Sequence, residues 1–298
     1  MRNRPNLKPD VQSMSEGSSV ASDRPVQVIC PLHSAGDVLV SGLRSLVQSA
    51  GLLRAMTVTH LKMRYRYSLL GWYWALLQPF TLMVLYTVIF SHLVSYNDIA
   101  RPYALFVFAG LTPWAFCSTS ISTSAAGMLN HRSLMATVYF PREIVPISFV
   151  IASLVDPAIA FVVLLSMMSY YSIPISMTIM LTIPIFVVLA ILVTSICLFV
   201  SSIQVRLRDI SVGLPLVLQV LVFTTPIVYP ASAVPVALQS LYWLNPFAIL
   251  VQSFREAAID ARIPQAGDML YCTVIAVVCF LISYLVFKKI EPTIVDDM

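Results

Sequence analysis

The chain has 298 residues, of which 58% are hydrophobic and only 11% charged, less than half the charged share of an ordinary soluble domain. So apolar a composition excludes a water-soluble globular protein and describes an all-α polytopic membrane protein. The formal net charge of +4 is small and no basic stripe lies on a soluble face, so a nucleic-acid partner is not expected.

Residues 1–42 mix Asn, Pro, Ser, Gly, Asp and Arg with few aromatics, and the first 25 hold no apolar core of signal-peptide length, which predicts a disordered cytoplasmic tail. From Leu43 the pattern changes. Leu43, Leu46, Val47 and Leu53 recur at helical spacing while Arg44 and Arg54 fall on other faces, so an amphipathic helix over 43–66 should lie in the membrane interface. A short helix packed on the bundle would carry the same pattern. The stretch Met63 to Pro79, MRYRYSLLGWYWALLQP, then passes from Arg64 and Arg66, suited to an anionic leaflet, through Trp72, Tyr73 and Trp74, suited to the headgroup boundary. Ala75 to Val94 follows as about 20 apolar residues, enough to cross ~30 Å of hydrocarbon.

Within the domain 67–298, six spans are predicted at about 75–94, 103–125, 146–171, 175–203, 210–229 and 269–287. The second ends in a hydroxyl-rich half, Ser118 to Ser124, which serves either close helix packing or a polar cavity. The third contains Asp156, the one carboxylate deep in an apolar run, which must face the interior, be neutral or be paired. Pro157 loosens the backbone after it and offers a nearby N–H. Pro184 is expected to interrupt the fourth span, and Pro215 and Pro226 fall in the fifth. Between the second and third spans, GMLNHRSLMATVYFPREIVP holds Asn130, His131, Arg132, Arg142 and Glu143, with Phe140-Pro141 breaking any helix that runs into it. Residues 230–268 are too broken by Pro and too polar to cross twice. Short re-entrant or interfacial helices are predicted there, near Val234 to Leu244 and Pro246 to Val251. Counting Lys and Arg at each end puts both termini and the Arg132 to Glu143 loop on the cytoplasmic side.

Several chemistries have no motif here. There is no G-x-x-x-x-G-K-[ST], so the chain should bind no ATP and no cofactor of its own, and any energy must come from elsewhere. His33, His60, His92 and His131 are scattered and read as solitary polar residues, so no metal site is expected. The five cysteines form no C-x-x-C pair and read as buried apolar groups. Trp72, Trp74, Tyr86, Phe90, Phe106, Phe108 and Trp114 crowd the first two spans. They could offer flat faces along which a sugar chain slides, or serve as interfacial belts and helix packing.

Four stretches in order carry a family resemblance over Leu61 to Pro264. LKMRYRYSLLGWYWALLQPF, VYFPREIVP, RLRDI, and TPIVYP with AVP and LNPF resemble the permease subunit of type-2 ABC exporters of polysaccharides and teichoic acids. The resemblance implies a homodimer of six-span subunits in the cytoplasmic (inner) membrane. It also implies two copies of a separate cytoplasmic ATPase, which would bind the ATP and Mg, and a lipid-linked, O-antigen-like polysaccharide as substrate. It implies that Asn130 to Glu143 docks on the ATPase, and that Pro226, Tyr229, Pro230, Pro235, Asn245 and Pro246 belong to a gate that folds back into the membrane. The alternatives are an ABC permease for a small drug or lipid and, from another class, a membrane-embedded glycan-modifying enzyme.

Overall fold

The structure, a computed structural model, describes residues 35–66, 71, 73–90, 101–137, 140–207, 209–235, 239 and 242–291, without some side chains inside helices. Among these residues there is no strand. The first helices are α1, Ala35–Gln48, and α2, Ala50–Tyr65, separated at Ser49. The helical segment therefore begins before Leu43, inside the stretch predicted to be disordered, and it is two helices rather than one. Ser49 and Gly51, both weak helix formers, sit at the break.

Helix α3 runs over Tyr73–Phe90 and α4 over Tyr103–Asn130, followed by the short α5, Arg132–Thr137. Helix α4 is the axis of the fold. Its 28 residues rise about 42 Å, and both its apolar and its hydroxyl positions are mostly buried against the other helices. The predicted third span is two helices, α6, Ile144–Ser153, and α7, Val155–Tyr170, with Leu154 as the joint. Pro157 explains the break: it has no N–H to give the Ser153 carbonyl, so the α-helical ladder cannot run through. Pro184 was expected to interrupt the fourth span and does not. It falls in the first turn of α8, Thr182–Gln204, where the N–H has no helical partner to lose. A 3-10 turn, Met177–Leu181, precedes that helix.

Helix α9, Ile210–Thr224, is shorter than the predicted 210–229. Its 15 residues rise about 22 Å, and it ends because Thr225 precedes Pro226 and is driven to extended backbone, φ −103°, ψ 138°. Residues Thr225 to Val228 are buried, and a 3-10 turn, Ala231–Ala233, follows. Helix α10 covers Pro246–Ala258, longer than the predicted 246–251. Asn245 caps it, its side chain accepting from Phe247 N at 3.0 Å, and Pro246 occupies the first position. The expected helix near 234–244 lies partly outside the described residues. Helix α11, Ala266–Ile290, closes the described chain and packs most extensively on α8.

Among the described residues, five helical segments are long and apolar enough to cross a bilayer: Tyr73–Phe90, Tyr103–Asn130, Ile144–Tyr170, Met177–Gln204 and Ala266–Ile290. The chain is thus a multi-pass membrane protein. Its core falls into a large cluster around α4, α8 and α10 and a smaller one at the opposite end, built from Met56, Met128, Phe140, Leu198, Tyr284 and Phe287.

Candidate functional site

The hydroxyl residues of α4 divide by helical periodicity between two tasks. Ser120, Ser124 and Ile121 turn inward, and Ser124 Oγ meets Ser201 Oγ of α8 at 3.1 Å, so that face brings two helices together. Ser118, Thr119, Ser122 and Thr123 turn the other way and line a cavity of about 610 Å³. The two readings of the hydroxyl run, close packing and polar cavity, therefore both hold on opposite faces of one helix. The cavity is completed by His60 and Arg64 of α2, Gln78 of α3, and Phe149 and Ser153 of α6. Its groups combine hydroxyls, an amide and a guanidinium, all able to hydrogen-bond oxygen-rich groups; the Ser118, Thr123 and Ser153 hydroxyls already donate to carbonyls of their own helices and offer acceptor oxygens.

Beside the cavity, Asp156 is paired. Arg64 Nη1 lies 2.8 Å from Asp156 Oδ2, and the Tyr65 hydroxyl donates to Oδ1. The carboxylate is 5% exposed, so its charge is held by two consecutive residues of α2 rather than by a backbone N–H near Pro157. Burial, with the carboxylate beside it, pushes the Tyr65 phenol well above its ordinary pKa, so the hydroxyl keeps its proton and stays a donor. This arrangement pins the end of α2 to the start of α7.

Two histidines read as solitary are in contact. His60 Nε2 is 3.3 Å from His131 Nε2, and the His60 ring stacks on Phe149 with centroids 3.8 Å apart. His60 Nδ1 also faces Ser148 Oγ at 3.3 Å. Burial and then the neighbouring imidazole lower the His60 pKa to about 4, so it stays neutral near pH 7. Seventy-one residues separate the pair in sequence, so no local spacing could announce it.

The segment expected to dock on an ATPase is bound to the far end of α11. Glu143, fully buried at the start of α6, lies 2.8 Å from Lys288 Nζ, and the Tyr284 hydroxyl donates to the same carboxylate at 3.3 Å. Lys288 also pairs with Glu291 at 2.9 Å, and Arg142 donates from its guanidinium to the Glu291 carbonyl. Phe140 is buried, Pro141 half-buried and Asn130 exposed, with His131 capping the end of α4. The side chain of Arg132 lies outside the described residues, as does that of Leu43. Of the remaining interface-helix residues, Leu46 and Leu53 pack on the smaller core cluster, while Val47 and Arg54 are exposed.

The expected aromatic path is not gathered at one surface. Phe106, Phe108 and Trp114 are buried within the large core cluster, Tyr86 and Phe90 pack against it, and Trp74 is exposed. Trp72 lies outside the described residues. None of the described ones is among the residues lining the hydroxyl cavity.

At the other end, the segment expected to act as a gate is tied down by Arg255, a residue to which the sequence analysis gave no role. Arg255 is 1% exposed; its Nε donates to the Phe106 carbonyl at 3.1 Å and its Nη2 to the Ile227 carbonyl at 2.7 Å, with the guanidinium 3.8 Å over the Phe106 ring. A Cβ on Gly110 would overlap this guanidinium, so glycine is needed there for close approach. Tyr103 adds a bond to the Val228 carbonyl at 2.6 Å. Around it Pro226 and Pro230 are buried, Tyr229 donates to the Phe223 carbonyl at 2.6 Å, and Pro235 is exposed.

The family model for the ABC-2 type transporter matches residues 51–259, from α2 through α10. The O-antigen export system permease protein RfbA of Myxococcus xanthus is 28% identical over 251 residues, covering 83% of this chain and 95% of the relative. An RfbA of Klebsiella pneumoniae is 25% identical over 242 residues, 80% of this chain and 92% of the relative. The polysialic acid transport protein KpsM of Escherichia coli is 23% identical over 255 residues, 82% and 95% respectively. With the family model matched over well more than half its length, the chain belongs to the ABC-2 type transporter family.

Proposed function

We propose that this chain is the permease subunit of an exporter that carries a lipid-linked, O-antigen-like polysaccharide across the cytoplasmic membrane, driven by a separate ABC ATPase. The observation that carries this reading is the near full-length similarity to O-antigen export permeases from two genera. On this reading two copies of the chain assemble with two ATPase subunits, and both termini face the cytoplasm. The outward apolar faces of α3 and α9, including Trp74, Phe80, Val212, Val217 and Phe223, are the surfaces offered to lipid and to the second copy. The sixth crossing is made by α9 together with the segment that follows it, and the piece from Thr225 to Ala258 acts as the gate.

The hydroxyl cavity at the basic end suits the oxygen-rich head of a lipid-linked glycan, with Arg64 held beside it by Asp156. The segment from Asn130 to Glu143 receives the ATPase stroke. Because Glu143 and Arg142 are bonded to Lys288 and Glu291, a displacement there moves α11, and α11 packs on α8.

The test is co-expression with a cognate ABC ATPase, purification of the complex into nanodiscs, and ATP hydrolysis measured with and without lipid-linked O-polysaccharide. Stimulation by the glycan is expected. Stimulation by small amphiphiles and not by glycan, or failure of any ATPase to co-purify, would overturn the reading.

A further inference from the structure

At the end of the bundle opposite the basic cluster lies a second cavity, of about 600 Å³, between the start of α10, the start of α11 and the residues just before α10. Its size suits a small hydrophilic ligand unit. The lining combines two aromatic side chains, Trp243 and Tyr271, with two polar ones, Gln265 and Asp268, and the aliphatic Leu244 and Ile249; Asp268 and Tyr271 stand one turn apart on the same face of α11. Both rings are held in place. Trp243 is 41% exposed, yet its ring is braced edge-on by the buried Tyr242, centroids 5.2 Å apart at 86°. Tyr271 donates its hydroxyl to the Leu244 carbonyl at 3.1 Å, which ties α11 to the segment carrying Trp243.

The polar side is unspent. Gln265 stands at the cap of α11 without capping it, and Asp268 is in the first turn; neither side chain hydrogen-bonds another described residue. A rigid aromatic face in one cavity with an amide and a carboxylate is the combination that grips a sugar ring. The apolar C–H face of the pyranose lies on the indole while its hydroxyls donate to the carboxylate. Asp268 is the one charged residue among the described lining. A uronic or sialic carboxylate would therefore meet a like charge with no cation in the wall to offset it.

We propose that this cavity is a second glycan-binding subsite, on the extracytoplasmic side, which takes an uncharged hexose unit of the emerging chain and disfavours acidic sugars. The proposal rests on the export reading for the side of the membrane and for the polymer. Trp243 is the stacking platform, Asp268 and Gln265 the hydroxyl acceptors.

The test uses the purified permease–ATPase complex in nanodiscs, with tryptophan fluorescence read against added oligomannose, a neutral probe, and against oligosialic acid. Saturable quenching by oligomannose is expected, absent in Trp243→Phe and shifted to about tenfold higher concentration in Asp268→Asn, as befits loss of a hydrogen bond to a charged acceptor. Oligosialic acid should quench weakly in the wild type and more strongly in Asp268→Asn. No saturable quenching by oligomannose, equal response to both probes in the wild type, or strong quenching of Trp243 by brominated lipid in place of sugar would overturn the proposal. The export reading is judged apart from this, by glycan-stimulated ATP hydrolysis. A complex that is stimulated but shows no oligomannose response refutes the subsite alone.

Discussion

Replacing Lys288 by Met should destabilise the permease far more than the same change at its neighbour Lys289. Glu143 has no exposed side-chain surface, and its carboxylate is held by the Lys288 ammonium at 2.8 Å and the Tyr284 hydroxyl at 3.3 Å. Removing the ammonium leaves a buried anion with one hydroxyl donor and the N-terminus of α6. Breaking a fully buried pair costs about 3–5 kcal/mol. Lys288 keeps 20% of its side chain exposed and two partial supports remain for the anion, so we expect about 3 kcal/mol, the lower end of that range. Lys289 is exposed, and its substitution should stay within about 0.5 kcal/mol. The double variant Glu143→Leu, Lys288→Met removes both charges from the interior and should recover most of the loss. The assay is reversible unfolding of purified permease in mixed micelles titrated with SDS, all four proteins side by side. Equal midpoints for Lys288→Met and Lys289→Met would refute the claim that the segment ending at Glu143 is anchored through this pair. In the assembled complex the double variant should hydrolyse ATP with less export per ATP, because the segment stays folded but loses its tie to α11.

Other expectations follow from the same geometry. Asp156→Asn removes the ion pair to Arg64 and weakens the bond from Tyr65, and amide hydrogen exchange should show α2 opening about tenfold more often, while Tyr65→Phe gives a smaller change; unchanged exchange in α2 would contradict this anchoring. Gly110→Ala places a methyl in the Arg255 guanidinium and 3.2 Å from the Ile227 carbonyl, so the folded yield should drop sharply, whereas Gly213→Ala, with nothing near its Cβ, should be neutral. His60 is neutral in the folded state and titrates near 6.5 when unfolded. Its folded pKa is depressed, so stability should be flat above pH 6.5 and fall as the pH drops from 6.5 towards about 4, where the folded state also takes the proton. His60→Gln should flatten that slope in pH-dependent thermal unfolding, and an unaltered slope would assign it to other groups.

Much of the fold was legible because lipid leaves the backbone few choices. Apolar runs of about 20 residues become helices in a bilayer, and the runs around α3, α4, α8 and α11 were read close to where they lie. The errors have local causes. The joint at Leu154 follows from Pro157, whose effect was credited to a free N–H rather than to a missing one. The early stop of α9 follows from Thr225-Pro226. Pro184 looked like a breaker because the start of α8 was placed too early.

Composition and hydropathy alone determined that this is a multi-pass membrane chain and where most helices run. The order of its short motifs pointed to the transporter family. Only the tertiary structure decided what the few polar residues do. Asp156 reaches Arg64 and Tyr65, Glu143 reaches Lys288, His60 reaches His131, and Arg255 reaches the carbonyls of Phe106 and Ile227, each across 28 to 149 residues of sequence. A buried charge must find its partner in space, and helical periodicity reports which face a residue occupies but not which helix that face will meet.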